Sequence, residues 1–215
     1  MDENSWKRLL GSALALLDDL AERGFGAPDF ALGGGTVLMM RYRHRLSKDL
    51  DLFLHDAQWL ALLTPRLNVR AAALSRGYSE QANSLKLALP DGDVDFIVAG
   101  DVTGVGHSQA FRFGGRMIWL ESSEEILAKR LYFRAAQLKP RDVFDLVATH
   151  RAEPEAARRA VAASAPRRRV QIRRLKALER LSPAEIEKEI HWLPGFDDLT
   201  ATMLGSALAL IEAGP

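Results

Sequence analysis

The chain has 215 residues, enough for one large domain or two small ones, and its 47% hydrophobic and 27% charged content is that of a folded protein rather than a disordered one. It contains no cysteine, which excludes disulfides, thiolate zinc sites and cysteine nucleophiles and gives no sign of an oxidising compartment. The net charge of +1 hides a division: residues 151–180 hold ten Arg or Lys against three Glu, a local +7, leaving −6 for the remainder. Such a block suits a polyanion, and equally the solvated surface of a helix.

The start, MDENSWKRLL, lacks a cleavable secretory pattern, and no apolar run reaches the roughly 18 residues of a membrane span, so a cytoplasmic protein without membrane contact is expected. Residues 5–22 repeat apolar side chains at helical spacing and stop at Gly24. "DFALGG" predicts a short strand running into a glycine turn, and "TVLMMRYRH" a helix. "DLDLFL" alternates with period two, as a half-buried strand does. Helix is expected again over 56–76, interrupted near Pro65. "SLKLALPDGDVDFIVAG" reads as two strands joined at Asp91-Gly92 by a type I′ turn, and "RMIWL" as one more strand.

Beyond residue 121 the pattern turns helical. Ser122 with Glu125 fits a capping box ahead of "ILAKRLYFR", and Pro140 opens a helix carrying "RDVFDLVATH". Helices through "AEPEAARRAVAAS", "RRVQIRRLKALERL" and "LTATMLGSALALIEAG" follow, punctuated by Pro154, Pro166, Pro183 and Pro194. The expected fold is α+β: a mixed α/β unit over 1–120, then a helical unit over 121–215.

Asp49 and Asp51 fall on one face of their strand with Leu50 and Leu52 on the other. Asp95 lies between Val94 and Phe96, an unfavourable strand position unless the residue has a task or faces water. If these strands pair, three carboxylates converge. Two such charges about 4 Å apart repel by about 4 kcal/mol at an effective dielectric near 20, so the trio requires a cation. Hard oxygen donors suit Mg²⁺ carrying substrate phosphates. Gly33-Gly34-Gly35 leading into a helix frees backbone N–H groups for a phosphate, though a tight turn would use the same residues. Neither the P-loop lysine nor the dinucleotide G-x-G-x-x-G register is present. The five histidines show no paired spacing and are assigned no metal.

Taken together, "LGGGTVLMMRYRHRLSKDLDLF" and "SEEILAKRLYFRAAQLKPRDVFDL" resemble the AbiEii/AbiGii toxin family within the polymerase β-like nucleotidyltransferase superfamily. The resemblance implies a small mixed sheet with flanking helices, a C-terminal helical bundle that completes the active site, and transfer of NMP from an NTP to a hydroxyl, the tRNA 3′ end. It further implies two Mg²⁺ ions, with Mn²⁺ as an alternative, and a cognate antitoxin. Residue by residue, Gly34, Gly35 and Thr36 would hold the triphosphate, with Arg45 and Ser47 lining the pocket. Asp49, Asp51 and Asp95 would ligate metal, and Asp145 would be a catalytic carboxylate or base, while Asp142 stabilises its helix N-terminus. The family lysine slot before Leu131 holds Arg130, and Lys129 stands one place earlier; about 100° apart on a helix, only one of them would meet the phosphates. The basic block, with Arg167, Arg168, Arg169, Arg173 and Arg174, would guide an RNA backbone. Two other readings share these residues: transfer to a protein or a small molecule such as an antibiotic, and a decayed transferase that only holds a partner.

Overall fold

Period-two leucines build the sheet and period-3.6 leucines cover one face of it. The computed structural model describes residues 5–105 and 107–214, with His107 and Ser108 described by backbone alone; the first four residues of the MDENSWKRLL start lie outside the described residues. β1 (Phe30–Gly33), β2 (Leu50–Leu54), β3 (Gly77–Gln81), β4 (Ser84–Leu89), β5 (Gly92–Val98), β6 (His107–Phe113) and β7 (Arg116–Glu121) form one sheet in the order β3-β4-β5-β2-β1-β7-β6. It is mixed: β2 runs antiparallel to β1 and parallel to β5, and β1 runs parallel to β7. Leu50, Leu52, Leu54, Leu85, Leu87, Leu89, Val94 and Phe96 are buried on a single face. Helix α1 (Ser5–Glu22) packs its Leu9, Leu10, Leu16, Leu17 and Leu20 there, and Gly24, at φ 85°, turns the chain beyond it.

Helix α2 (Gly34–Tyr42) begins at Gly34 itself, directly from β1, leaving no separate glycine turn. The segment after β2 forms α3 (Gln58–Leu63) and α4 (Val69–Leu74), with Pro65 between them. One expectation is corrected at the β4–β5 hairpin. Leu89 pairs with Gly92, so the turn residues are Pro90 and Asp91. A type I′ turn needs positive φ at both central positions; the proline ring holds φ near −65°, and Asp91 is not among the positive-φ residues.

The remaining helices are α5 (Ser123–Phe133), α6 (Pro140–Ala152), α7 (Pro154–Ala163), α8 (Arg168–Leu178), α9 (Pro183–Glu189) and α10 (Asp197–Glu212). α5 packs on α7, α6 on α7 and α10, and α10 on α8, through buried alanines such as Ala128, Ala148, Ala157, Ala160 and Ala207. Half of the expected capping box forms at α5: the Ser122 hydroxyl accepts from Glu125 N–H at 3.1 Å. The Glu125 carboxylate instead accepts from the N–H groups of Val102 and Thr103, at 2.8 and 2.9 Å. Short α9 was not anticipated, although Ser182, Pro183 and Glu185 supply a complete box for it.

The chain divides into two compact units. One comprises Met1–Val37, Ser47–Gly100 and Gln109–Leu120; the other comprises Leu38–Leu46, Asp101–Ser108 and Glu121–Pro215. Among the described residues no helix is long and apolar enough to cross a membrane.

Candidate active site

The sheet-bearing unit carries a row of charge across adjacent strands. Parallel pairing of β2 with β5 sets Asp51 beside Asp95, antiparallel pairing of β4 with β5 sets Lys86 on the other side of Asp95, and Gly33 of β1 flanks Asp51. Asp49 leads into β2 on the same parity as Asp51. The Lys86 ammonium lies 2.9 Å from Asp95 and 3.3 Å from Asp93. Burial, then the charge of Asp51, and more weakly that of Asp49, push the Asp95 carboxyl up to about 6, against the pull of Lys86. For Lys86, burial favours the neutral amine, but Asp95, Asp49 and Asp93 outweigh it and raise the ammonium above its ordinary value.

Lys86 was missed in the sequence. Its signal was present: in "SLKLAL" it occupies the polar parity of an otherwise apolar strand, level with Asp95 once the hairpin closes.

Gly34 is shaped by Asp51. It sits at φ 66°, and a Cβ there would lie 1.6 Å from Asp51 Oδ2, so the carboxylate passes directly over this backbone and only glycine fits beneath it. Gly35 is buried in the first turn of α2, and Ser47 is half-buried. Thr36, expected at the triphosphate, is fully buried, and its hydroxyl donates to the Asp49 carbonyl at 2.6 Å, fastening the backbone of Asp49.

Among the described residues no three His, Asp or Glu side chains are already drawn around a common metal-sized point. The donor chemistry nevertheless fits a hard divalent cation. Asp49, Asp51 and Asp95 are half-buried oxygen donors, and with Asp93 they outnumber the single charge of Lys86. Their mutual repulsion is registered in the raised Asp95 carboxyl.

The helical unit holds a second charged cluster. Asp145 is fully buried; one oxygen meets His44 Nε2 and Arg45 Nε, each at 2.6 Å, and the other meets the Arg45 fork at 2.6 Å and Arg130. Arg45, Arg130 and His44 hold this carboxyl well below its usual range, against the opposing effect of burial. A buried carboxylate held by two guanidinium groups is a weak proton acceptor, and here Asp145 clamps Arg45 and Arg130 together. Arg45, expected at the nucleotide, is itself buried on Asp145. Arg130 also lies 3.3 Å from Asp142, whose other oxygen accepts from Lys139 N–H at the start of α6.

Lys129 and Arg130 do point apart, as their helical phase requires. Lys129 is nearly buried, 2.5 Å from Glu121, 3.6 Å from Glu125 and 3.9 Å from Asp101. Both cations thus face carboxylates of their own unit.

In the basic segment, Arg167 lies 4.9 Å over the Tyr132 ring, and Arg174 donates to the Leu138 carbonyl at 2.8 Å. Arg168 is half-buried, whereas Arg169 and Arg173 are exposed. Lys176 and Arg180, outside the expected set, are exposed as well. Positions 169, 173, 176 and 180 share one face of α8 and its continuation.

A family model described as nucleotidyl transferase AbiEii toxin, type IV TA system, matches residues 15–206. No curated protein matches the chain. Among solved structures, the solution structure of the antibiotic-resistance factor ANT(2″)-Ia is similar over 83% of this chain and 97% of that one, at 18% identity and a TM-score of 0.53. A crystal structure of ANT(2″)-Ia in complex with adenylyl-2″-tobramycin covers 78% of this chain and 98% of that one, at 16% identity and a TM-score of 0.46. The solution structure shows a shared fold.

Proposed function

The chain belongs to the nucleotidyl transferase AbiEii toxin family of type IV toxin–antitoxin systems, and from that premise we propose that it transfers NMP from an NTP to the 3′ end of tRNA, with Mg²⁺ bound at Asp49, Asp51 and Asp95. Nucleotidyl transfer, an NTP substrate and an antitoxin partner belong to the family; the acceptor, the ion and the residues are our reading. The observation that carries it is the register that sets Asp51 beside Asp95 one step from Asp49.

In the reaction the acceptor 3′ hydroxyl gives its proton to water as its oxygen bonds to the α-phosphorus, the bond from the α-phosphorus to the bridging oxygen breaks, and pyrophosphate leaves with the electron pair. A divalent ion held by the three aspartates supplies charge neutralisation at the phosphates and lowers the pKa of an oxygen it binds. The chain's own residues prepare this. Thr36 holds the Asp49 backbone, and Gly34 and Gly35 start the helix with the Asp51 carboxylate lying over Gly34, so backbone N–H groups and metal-binding oxygen share one place. Lys86 shields Asp95 until metal and nucleotide arrive. Ser47 contributes a hydroxyl beside Asp49. Residues 1–120 thereby carry nucleotide and metal, and residues 121–215 carry acceptor contacts, with Arg45, Arg130 and Asp145 as positioning residues.

The test supplies each α-labelled NTP, Mg²⁺ and total RNA. Label in tRNA, abolished by EDTA and by Asp51→Asn, is the expected result. Label in protein or in a small molecule overturns the acceptor, and no label with any acceptor overturns transfer by this chain.

A further inference from the structure

β3 is an outer strand of the sheet, and all of its residues are exposed. The β4–β5 hairpin fixes which of its backbone groups are paired. Leu89 closes on Gly92 through a two-residue turn, and such turns close on a hydrogen-bonded pair, so by alternation Leu89, Leu87 and Leu85 bond to β5. Ser84, Lys86 and Ala88 then turn towards β3, and the Ala88 carbonyl accepts from Arg76 N–H at 2.8 Å. Their partners Gln81, Ser79 and Gly77 are satisfied in this way, whereas Tyr78 and Glu80 point their N–H and C=O groups off the sheet. Natural edges are ordinarily blunted by lysine, proline or a bulge. β3 pairs with β4 one to one without a bulge, contains neither residue, and has its only charge, Glu80, 3.2 Å from Arg66.

Tyr78 and Glu80 stand level with Leu87 and Leu85, whose side chains are buried on the face that α1 covers. A cavity of about 210 Å³ lies beside Glu80, lined by Ala57, Leu60, Ala61, Arg66 and Leu85. Tyr78 is 44% exposed on the same edge. The geometry points to a twofold dimer of this chain through β3, in which the Tyr78 ring of each copy enters the cavity of the other. Outward groups must meet outward groups, so an antiparallel pairing can centre on residue 78, 79 or 80. Centring on Glu80 sets like charges face to face. Centring on Tyr78 sets Glu80 against Arg76, whose N–H is already given to Ala88. Centring on Ser79 sets Tyr78 against Glu80 twice, with four backbone hydrogen bonds and each ring within reach of Leu60, Leu85 and the guanidinium of Arg66. Residue i then meets j and j meets i, as a twofold interface requires. Two short strands and two rings cover less than the roughly 1,200 Å² of stable complexes, so the dimer is weak and set by concentration.

Sedimentation velocity of the full chain over a concentration series tests this, with no substrate present, so the outcome is independent of the transfer reading. Wild type is expected to pass from monomer to dimer. Tyr78→Glu opposes a second glutamate and empties the cavity, twice per dimer, and raises the dissociation constant roughly tenfold or more; thermal melting checks that it folds. The chain has no cysteine, so single cysteines report the register. Ser79→Cys meets its own copy at the central pair, with Cα atoms about 4.5 Å apart and within disulfide reach. Gln81→Cys lies roughly 14 Å from its copy, four strand residues away. Diamide is expected to cross-link the first variant and not the second. A wild type that stays monomeric throughout, a dimer that Tyr78→Glu leaves intact, or equal cross-linking of both cysteine variants overturns the dimer; the first of these leaves the edge to a different chain or the cavity to a small ligand.

Discussion

Asp95 has a like charge beside it on one strand and a lysine on the other, and its raised carboxyl makes a prediction with a definite sign. The folded state holds this proton more tightly than the unfolded chain does, with values of about 6 and 3.8. The contribution of Asp95 to the stability of the metal-free protein is therefore greatest below about pH 4, declines as pH rises to about 6, and is flat above, by on the order of 2 kcal/mol. Asp95→Asn removes that decline: in EDTA at pH 8 the variant melts at or above wild type, yet it transfers no nucleotide. Melting measured from pH 4 to 8 checks this, and a slope unchanged by the substitution contradicts it. Gly34 makes a second prediction at the same scale. Gly34→Ala meets both a positive φ and the Asp51 carboxylate, so it costs about 1–3 kcal/mol and lowers kcat. Adding Asp51→Gly clears the carboxylate but not the φ, so the double variant is more stable than the sum of the single effects requires. Strict additivity in a melting cycle would mean the two residues do not touch.

Between elements, the Asp145 cluster ties the segment following α2 to α5 and α6. Truncating one partner of a buried ion pair strands the other's charge, so Arg45→Ala costs about 3–5 kcal/mol. Arg45→Lys recovers only part, because a point charge cannot span both oxygens. Because the Asp145 carboxyl is lowered, this contribution is present above the unfolded value near pH 4 and is lost as pH falls through the depressed folded value. Urea unfolding at pH 7 measures it; a loss of activity without a loss of stability would return Asp145 to the chemistry. None of this pairing was legible in the sequence, because Arg45 and Asp145 lie 100 positions apart and only tertiary folding joins them. The face shared by Asp49 and Asp51 was legible, since period two alone dictates it. β3 was not, because "GYSEQ" is exposed throughout and shows no apolar alternation. In "HSQAFRF" of β6 the apolar residues come late and irregularly. The β4–β5 hairpin was found but displaced by one residue, because Asp91-Gly92 outweighed the proline that sets the turn. Units assembled from interleaved segments leave no local mark in the sequence, because only tertiary contacts join the pieces.

Across the whole molecule, charge is segregated more sharply than the net of +1 suggests. Within the +7 block, Arg151, Arg158 and Arg159 face Asp198, Glu155 and Glu124, and Arg174 is tied to a backbone carbonyl. The exposed stripe of Arg169, Arg173, Lys176 and Arg180 is different in kind: four cations, one face, about 16 Å from end to end. That length passes several phosphates of an RNA strand, and phosphate contacts carry no base information. Replacing all four by Gln is therefore expected to weaken RNA binding by a similar factor for every sequence. It also reduces the slope of log K against log salt by about 3, at 0.7 to 0.9 per lost contact. Arg174→Gln removes a single charge of the same block but breaks a structural tie, so it lowers the melting temperature with little change in salt slope. NTP binding is unaffected in both variants, because the carboxylate row lies on β2 and β5 of the other unit. RNA binding measured between low and moderate salt decides the matter: an unchanged slope in the quadruple variant means that the stripe is a solvated helix face and that the acceptor is held elsewhere.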